Sequence, residues 1–147
     1  MPSVMLDTNV YRDAAYRERA TKIRSVVFSS VVVQELLVIA NEQQQASLIR
    51  EFRERISAGT GFVPDHNDWI EVGRCLYRLH HRGIADFAKL GKPEVNMLVR
   101  DALIARTAIR AKALLVTLNT SDFSKIKAIF ASLKFVSPAE FFVMRPR

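Results

Sequence analysis

The sequence predicts an α/β protein, a sheet of parallel strands covered by helices. Three observations predict it. Short β-branched or apolar runs alternate with helical segments along the chain. The stretch from Ala113 to Thr117 is a continuous apolar run, as strands buried on both faces of a parallel sheet show. The opening run Val4-Met5-Leu6 ends abruptly at a carboxylate, Asp7. Right-handed crossovers place the carboxyl ends of all such strands on one edge, and in open sheets of this kind ligands bind at that edge.

Residues 3–7 read as the first strand and residues 9–20 as a polar helix with Asn9 as its N-cap. Val26-Val27-Phe28 is the second strand. Ser29 and Ser30 can cap the next helix, which starts near Val31 and sets Val33, Leu36, Leu37 and Ala40 on one face. A helix over 43–56 carries Leu48, Phe52 and Ile56 and is stopped by Gly59 and Gly61. Residues 61–64 form a brief extended piece. The amphipathic stretch 66–81 follows, with Trp69, Val72, Cys75, Leu76 and Leu79 at helical spacing. Residues 84–93 are a basic loop, and 95–111 a strong helix with Leu98, Ala102, Ala105 and Ile109 along one face. After the strand at 113–117 come a turn at 119–122, a short helix over 123–130, a last strand at 133–136 and a terminal helical turn at 138–142.

A chain of 147 residues suits one domain with a substantial core, and its 49% apolar fraction is that of a folded protein. Twenty-two Lys and Arg against 15 Asp and Glu give a net charge of +7, spread widely, which attracts polyanions such as nucleic acid. The single cysteine, Cys75, forms no intramolecular disulfide and reads as a reduced core thiol. No apolar run approaches the ~20 residues needed to span a membrane, and the start lacks the pattern of a signal peptide. The expected location is the cytoplasm. There is no Walker loop, no G-x-G-x-x-G, no H-E-x-x-H and no paired C-x-x-C, and the three histidines have no ligand spacing.

The chemistry is carried by acids. Asp7 ends the first strand. Glu35 lies on the first turns of the helix leaving the second strand. Asp101 shares a helical face with Leu98 and Ala105 and should point inward. Asp122 lies just past the strand at 113–117. Each can reach the same sheet edge. Hard divalent cations, Mg²⁺ or Mn²⁺, prefer carboxylate oxygens, and without one, like charges a few ångströms apart cost about 1–4 kcal/mol per pair. Each acid also has a local reading: Asp7 as a helix cap, Glu35 as a first-turn acid favoured by the helix dipole, Asp122 as an N-cap. Asp101 is the hardest to explain locally, because a lone acid on an apolar face is costly unless paired, and Arg100 and Arg106, which could pair with it, are expected to face elsewhere. Thr8, Thr117 and Asn119 are placed to support the acids, Asn119 through its amide oxygen. Asp7-Thr8-Asn9 has the outline of a haloacid-dehalogenase phosphatase start, but Asn9 cannot act as the second acid.

The segments Met5-Leu6-Asp7-Thr8-Asn9, Ser29 to Leu36, Asp101-Ala102-Leu103-Ile104-Ala105 and Thr117 to Phe123 together resemble those of PIN-domain ribonucleases, and within them the VapC-like toxins of type II toxin–antitoxin pairs. The resemblance implies a PIN-like three-layer sandwich filling residues 1–147. It implies a metal-dependent endoribonuclease using Mg²⁺ or Mn²⁺, with Asp7, Glu35, Asp101 and Asp122 as catalytic and metal-binding residues. The ion activates a water for in-line attack on a phosphodiester, leaving 5′-phosphate and 3′-hydroxyl ends. Lys89, Lys92 and Arg100 are the candidates to grip RNA phosphates. The resemblance further implies a homodimer and a small antitoxin that blocks the site. The last motif departs from the family pattern, with Asn119 where some relatives carry an acid. The competing reading is a non-catalytic RNA- or protein-binding module of the same shape.

Overall fold

The structure, a computed structural model, describes residues 3–144. Its elements run β1 (Val4–Leu6), α1 (Thr8–Arg12), α2 (Arg17–Ala20), β2 (Val26–Ser29), α3 (Ser30–Ile39), α4 (Glu42–Ser57), β3 (Gly61–Phe62), α5 (His66–His81), α6 (Lys92–Arg110), β4 (Leu114–Val116), α7 (Thr120–Ile129), β5 (Phe135–Val136) and α8 (Pro138–Met144). The five strands form one sheet in the order β3-β2-β1-β4-β5, every pairing parallel. The α/β class predicted by the alternating pattern is the class observed.

Period two along the strands divides the core. Met5, Val27 and Leu115 point to one face, where they meet Val31 and Val32 of α3 and the inner sides of α5, α6 and α7. Val4, Leu6, Val26 and Val116 point to the other, against Val10, Ala20 and Phe141 of α1, α2 and α8. Val4, Met5 and Leu6 are all fully buried, each contributing about 1.5–3 kcal/mol. β1 must be apolar on both sides because it lies at the sheet's centre with helices above and below.

The strand order carries the functional consequence. From β1 the chain winds outward through β2 and β3, then returns through α5 and α6 to lay β4 on the other side of β1. The connections therefore diverge between β1 and β4, which opens a crevice at their carboxyl ends. Asp7 follows β1 there and Thr117 follows β4. Register brings them together: Leu6 pairs with Val116, and the Asp7 amide donates to the Val116 carbonyl at 2.9 Å.

Several boundaries differ from expectation. The helix expected over 9–20 is two, because Asp13 turns extended and its carboxylate accepts from the Ala15 amide at 2.8 Å, a turn that competes with the helix. The cap of α1 is Asp7, not Asn9. Ser29 caps α3 as expected, accepting from the Val31 amide. α6 begins at Lys92, three residues early, because Pro93 suits a first turn. α7 begins at Thr120, so Asp122 sits in its first turn rather than capping it. β5 is shorter than 133–136, Leu133 being buried outside the ladder. Ile56 is exposed on α4, and Trp69, expected inward with Val72 and Cys75, is 57% exposed. Cys75 is buried, and burial pushes its thiol up to about 11, as an inert core thiol requires. Among the described residues no helix is long and apolar enough to cross a membrane.

Candidate active site

Asp7 is buried at the end of β1 and holds three donors. Its Oδ1 accepts from the Thr8 amide at 2.7 Å, which is the cap interaction of α1. Its Oδ2 accepts from the Thr117 hydroxyl at 2.7 Å and from Asn9 Nδ2 at 3.2 Å. The local capping role and the placement at the sheet edge are thus the same geometry. Asn9 also accepts from the Leu118 amide at 3.1 Å, clasping the ends of β1 and β4 together. Sequence reasoning gave Asn9 only a cap; its spacing of two from Asp7, across a helix start, was the signal for more.

Asp101 lies midway along α6 and is 8% exposed. It faces the crevice because its helical neighbours Leu98, Ala102 and Ala105 are core. Its Oδ2 accepts from Asn119 Nδ2 at 2.8 Å, and the same Nδ2 donates to Asp122 Oδ2 at 3.0 Å. Asn119 therefore serves through its amide nitrogen, not its oxygen: a group flanked by two carboxylates must donate. Asn119 occupies the N-cap of α7 yet makes no side-chain cap there. It forgoes an interaction worth about 0.5–2 kcal/mol to hold the two acids.

The electrostatics tie the four acids into one cluster. Burial raises the Asp101 carboxyl first, then the charges of Asp7, Asp122 and Glu35 raise it further; the Asn119 hydrogen bond opposes, and the result is about 8. Burial also raises Asp7, against the hydrogen bonds from Thr117, Thr8 and Asn9. Glu35, half-buried on α3, is raised by burial and by Asp7, and is opposed by Arg100, the Thr8 hydroxyl and Arg12. Among the described residues no Lys or Arg pairs with Asp7, Glu35 or Asp101; Lys125 approaches Asp122 at 3.8 Å. Arg106, a conceivable partner for Asp101, is instead on Asp68 at 3.1 Å.

Such a set fits a hard divalent cation. Every candidate donor is an oxygen. The Thr8 hydroxyl is buried beside these acids with no partner at hydrogen-bond length. Burial first, and then mutual repulsion, raise Asp101 and Glu35, and a bound cation would offset both. Among the described residues, however, no three acidic, imidazole or thiol groups are gathered closely enough to ligate one ion as they stand; the Asn119 amide lies between Asp101 and Asp122. Of the candidate RNA contacts, Arg100 stands nearest, within electrostatic reach of Glu35. Lys89 is exposed beside Asp86 at 4.0 Å, and Lys92 is exposed in the first turn of α6.

The sequence pattern of the PIN domain matches residues 4–129. The chain belongs to the PIN-domain family. The solved structures it is similar to include VapBC-1 from nontypeable Haemophilus influenzae (22% identity, 91% of this chain and 96% of that one, TM-score 0.55). FitAcB from Neisseria gonorrhoeae is another (18% identity, 92% and 98%, TM-score 0.60). So is DNA-bound VapBC from Salmonella typhimurium (21% identity, 93% and 98%, TM-score 0.56). No curated protein matches the chain. At these identities the structural likeness speaks for the fold, and it agrees with the PIN assignment: an all-parallel five-stranded sheet between helices.

Proposed function

We propose that this PIN domain is a Mg²⁺- or Mn²⁺-dependent endoribonuclease and the toxin of a type II toxin–antitoxin pair, working as a single domain in the cytoplasm. The observation that carries the nuclease reading is Asp101, a buried carboxylate with no cationic partner among the described residues, facing Asp7 across the point where the sheet's connections diverge. A structural acid in that position would be paired.

Asp7, Asp101, Asp122 and Glu35 would hold the ion, which supplies a positive centre that acidifies water and offsets charge on a phosphoryl oxygen. The chain's own groups do the rest. Thr117 and Asn9 hold Oδ2 of the Asp7 carboxylate, and the Thr8 amide holds its Oδ1. Asn119 holds Asp101 and Asp122 at a set separation. Glu35 is the least buried of the acids whose affinity for protons is raised, so it takes the proton of the attacking water. Arg100 reaches the phosphate beside the cut, and Lys89 and Lys92 the flanking ones. The cut leaves 5′-phosphate and 3′-hydroxyl ends.

The toxin part rests on the motif resemblance and on the shared fold of VapBC and FitAcB. It brings two expected protein partners, a small antitoxin and a second copy of the chain. A groove of about 780 Å³ beside α1, α2, α3 and α4, where Tyr11, Leu36, Ile39 and Leu48 alternate with Arg12, Arg17, Gln43, Gln44, Ser47 and Glu51, supports the first. Its mixture of apolar and polar side chains suits an amphipathic helix.

The test is cleavage of RNA by the chain and by Asp7→Asn at saturating Mn²⁺. Losing an outer partner of a metal ligand costs about 10–100-fold, so losing the ligand itself is expected to cost more than about 100-fold. Equal cleavage by Asp7→Asn, or cleavage undiminished in EDTA, would remove the proposal.

A further inference from the structure

The end of α5 carries a pair of rings that the core does not use. Tyr77 is two residues from both Cys75 and Leu79, so it points about 160° away from each. Those two are core, and Tyr77 is 61% exposed. One turn on, the exposed His81 lies against it, with ring centroids 4.4 Å apart and planes at 24°. A second ring pair, His80 and Phe87, pins the basic loop that follows, the Phe87 amide donating to His80 Nδ1 at 3.4 Å. From Arg74 to Lys92 the cations are Arg74, Arg78, Arg82, Lys89 and Lys92, and the one acid is Asp86. Arg74 is held by Glu71 at 3.2 Å, and Lys89 stands 4.0 Å from Asp86. Arg78 and Arg82, four apart and so on one flank of the ring pair, make no ion pair among the described residues.

This end of α5 lies on the same side of the sheet as the acids. α6 ends in a tight turn, where the Ala113 amide donates to the Ala108 carbonyl, and β4 starts at once. The end of α6 is therefore at the amino edge of the sheet, and its start, at Lys92, is at the carboxyl edge. Asp68, near the start of α5, takes Arg106, near the end of α6. The two helices run antiparallel, so α5 ends where α6 begins, on the side of the crevice.

We propose that the end of α5 holds single-stranded RNA leaving the crevice, its unpaired bases stacked on Tyr77 and His81 and its phosphates on Arg78 and Arg82. The proposal rests on the nuclease reading and adds to it the path of the RNA beyond Lys92 and Lys89. Ring faces accept any base, provided that it is unpaired, and the arginines supply the backbone contacts. The rival occupant is a protein. The centre of a protein contact is poor in charge, whereas this ring pair is bordered by arginines that no acid offsets.

Fluorescence anisotropy on the full chain carrying Asp7→Asn tests this, with single-stranded RNAs of about 4 and about 12 nucleotides. The shorter is confined to the crevice and its nearest cations; the longer reaches α5 and should bind more tightly. Tyr77→Ala should weaken the longer RNA by about 5- to 150-fold and leave the shorter unchanged. Tyr77→Phe keeps the ring and should keep the affinity. Arg78→Ala/Arg82→Ala should make the log–log salt slope of the longer RNA shallower by about 1.4, a slope that Tyr77→Ala should not move. Tyr77 faces solvent, so its variants should melt with the parent chain. A longer RNA that binds no more tightly than the shorter overturns the proposal, as does a Tyr77→Ala that weakens both alike or neither. A Tyr77→Ala that binds RNA unchanged but sediments at a different mass gives the face to a protein and overturns it too. The nuclease reading fails separately, through cutting by Asp7→Asn, which RNA ends report and affinities do not.

Discussion

At the scale of single residues the chain concentrates its costs in one place. Asp101 is an ionisable group on an otherwise apolar helix face, Asn119 caps nothing, and the Thr8 hydroxyl is buried with Glu35 near it but no partner at hydrogen-bond length. Local rules are broken together at functional sites, which is why these residues weigh more than any one spacing. Asp101 keeps its proton in the folded chain up to about pH 8 but releases it near pH 3.9 when unfolded, an approximate value for a free side chain. The stability this contributes is whole below the unfolded value and is lost as pH rises through about 8. In EDTA the chain should therefore lose on the order of a few kcal/mol of stability between mildly acid and mildly alkaline pH. Asp101→Asn keeps an oxygen for Asn119 and removes the charge, so it should flatten that slope. Urea unfolding across the pH range checks both; an unchanged slope in the variant would show that Asp101 is not the titrating group.

At the scale of elements, packing is governed by pairings far apart in the chain, and this is where sequence reasoning reached its limit. α5 and α6 are joined at one end by Asp68, which is buried and takes Arg106 at 3.1 Å and Arg110 as well. Arg110 also donates to the Val63 carbonyl at 2.7 Å. Asp68 doubles as the capping-box partner of Asp65. Removing Asp68 takes the carboxylate from Arg106, while Arg110 keeps Asp65 at 3.5 Å, so Asp68→Ala should cost about 1–3 kcal/mol, read as a lower urea midpoint at an unchanged slope. A loss within about 0.5 kcal/mol would mean the arginines find water instead.

None of that cluster was legible beforehand, because Asp65-His66-Asn67-Asp68 reads as a polar helix start and nothing local names its partners. The strands and the inward face of α6 were legible, because β-branched runs and a 3.6 period are local signals. The approach of Asp7, Glu35, Asp101 and Asp122 to one sheet edge was legible too, since Asp7, Glu35 and Asp122 follow strands and Asp101 interrupts an apolar helix face. The broken helix at Asp13 was legible only in hindsight, through its carboxylate's turn. The role of the Asn119 amide was not, because it depends on two acids arriving from different helices. Trp69 was misplaced for a similar reason: helical spacing assigns a stripe, and Trp69 lies just outside it.

At the scale of the molecule, an acidic crevice sits on a chain of net charge +7. The acids repel RNA unless a cation intervenes, while the surrounding Arg and Lys attract it. If Lys89, Lys92 and Arg100 each neutralise one phosphate, the affinity of the inactive Asp7→Asn variant for single-stranded RNA should fall with salt at a log–log slope of about −2, near −0.7 per contact. Arg100→Ala should make that slope shallower by about 0.7, measured by fluorescence anisotropy between low and physiological KCl. A slope that Arg100→Ala leaves unchanged would place the RNA track elsewhere.

The account depends most on the acids acting together as a cation site. Calorimetric titration of the metal-free chain with Mn²⁺, beside Asp7→Asn and Asp101→Asn, reads this without reference to any substrate. The expected result is saturable binding of one or two ions to the parent chain and its loss in both variants while they stay folded. Saturable binding that survives in both variants, or none in the parent chain, would contradict it.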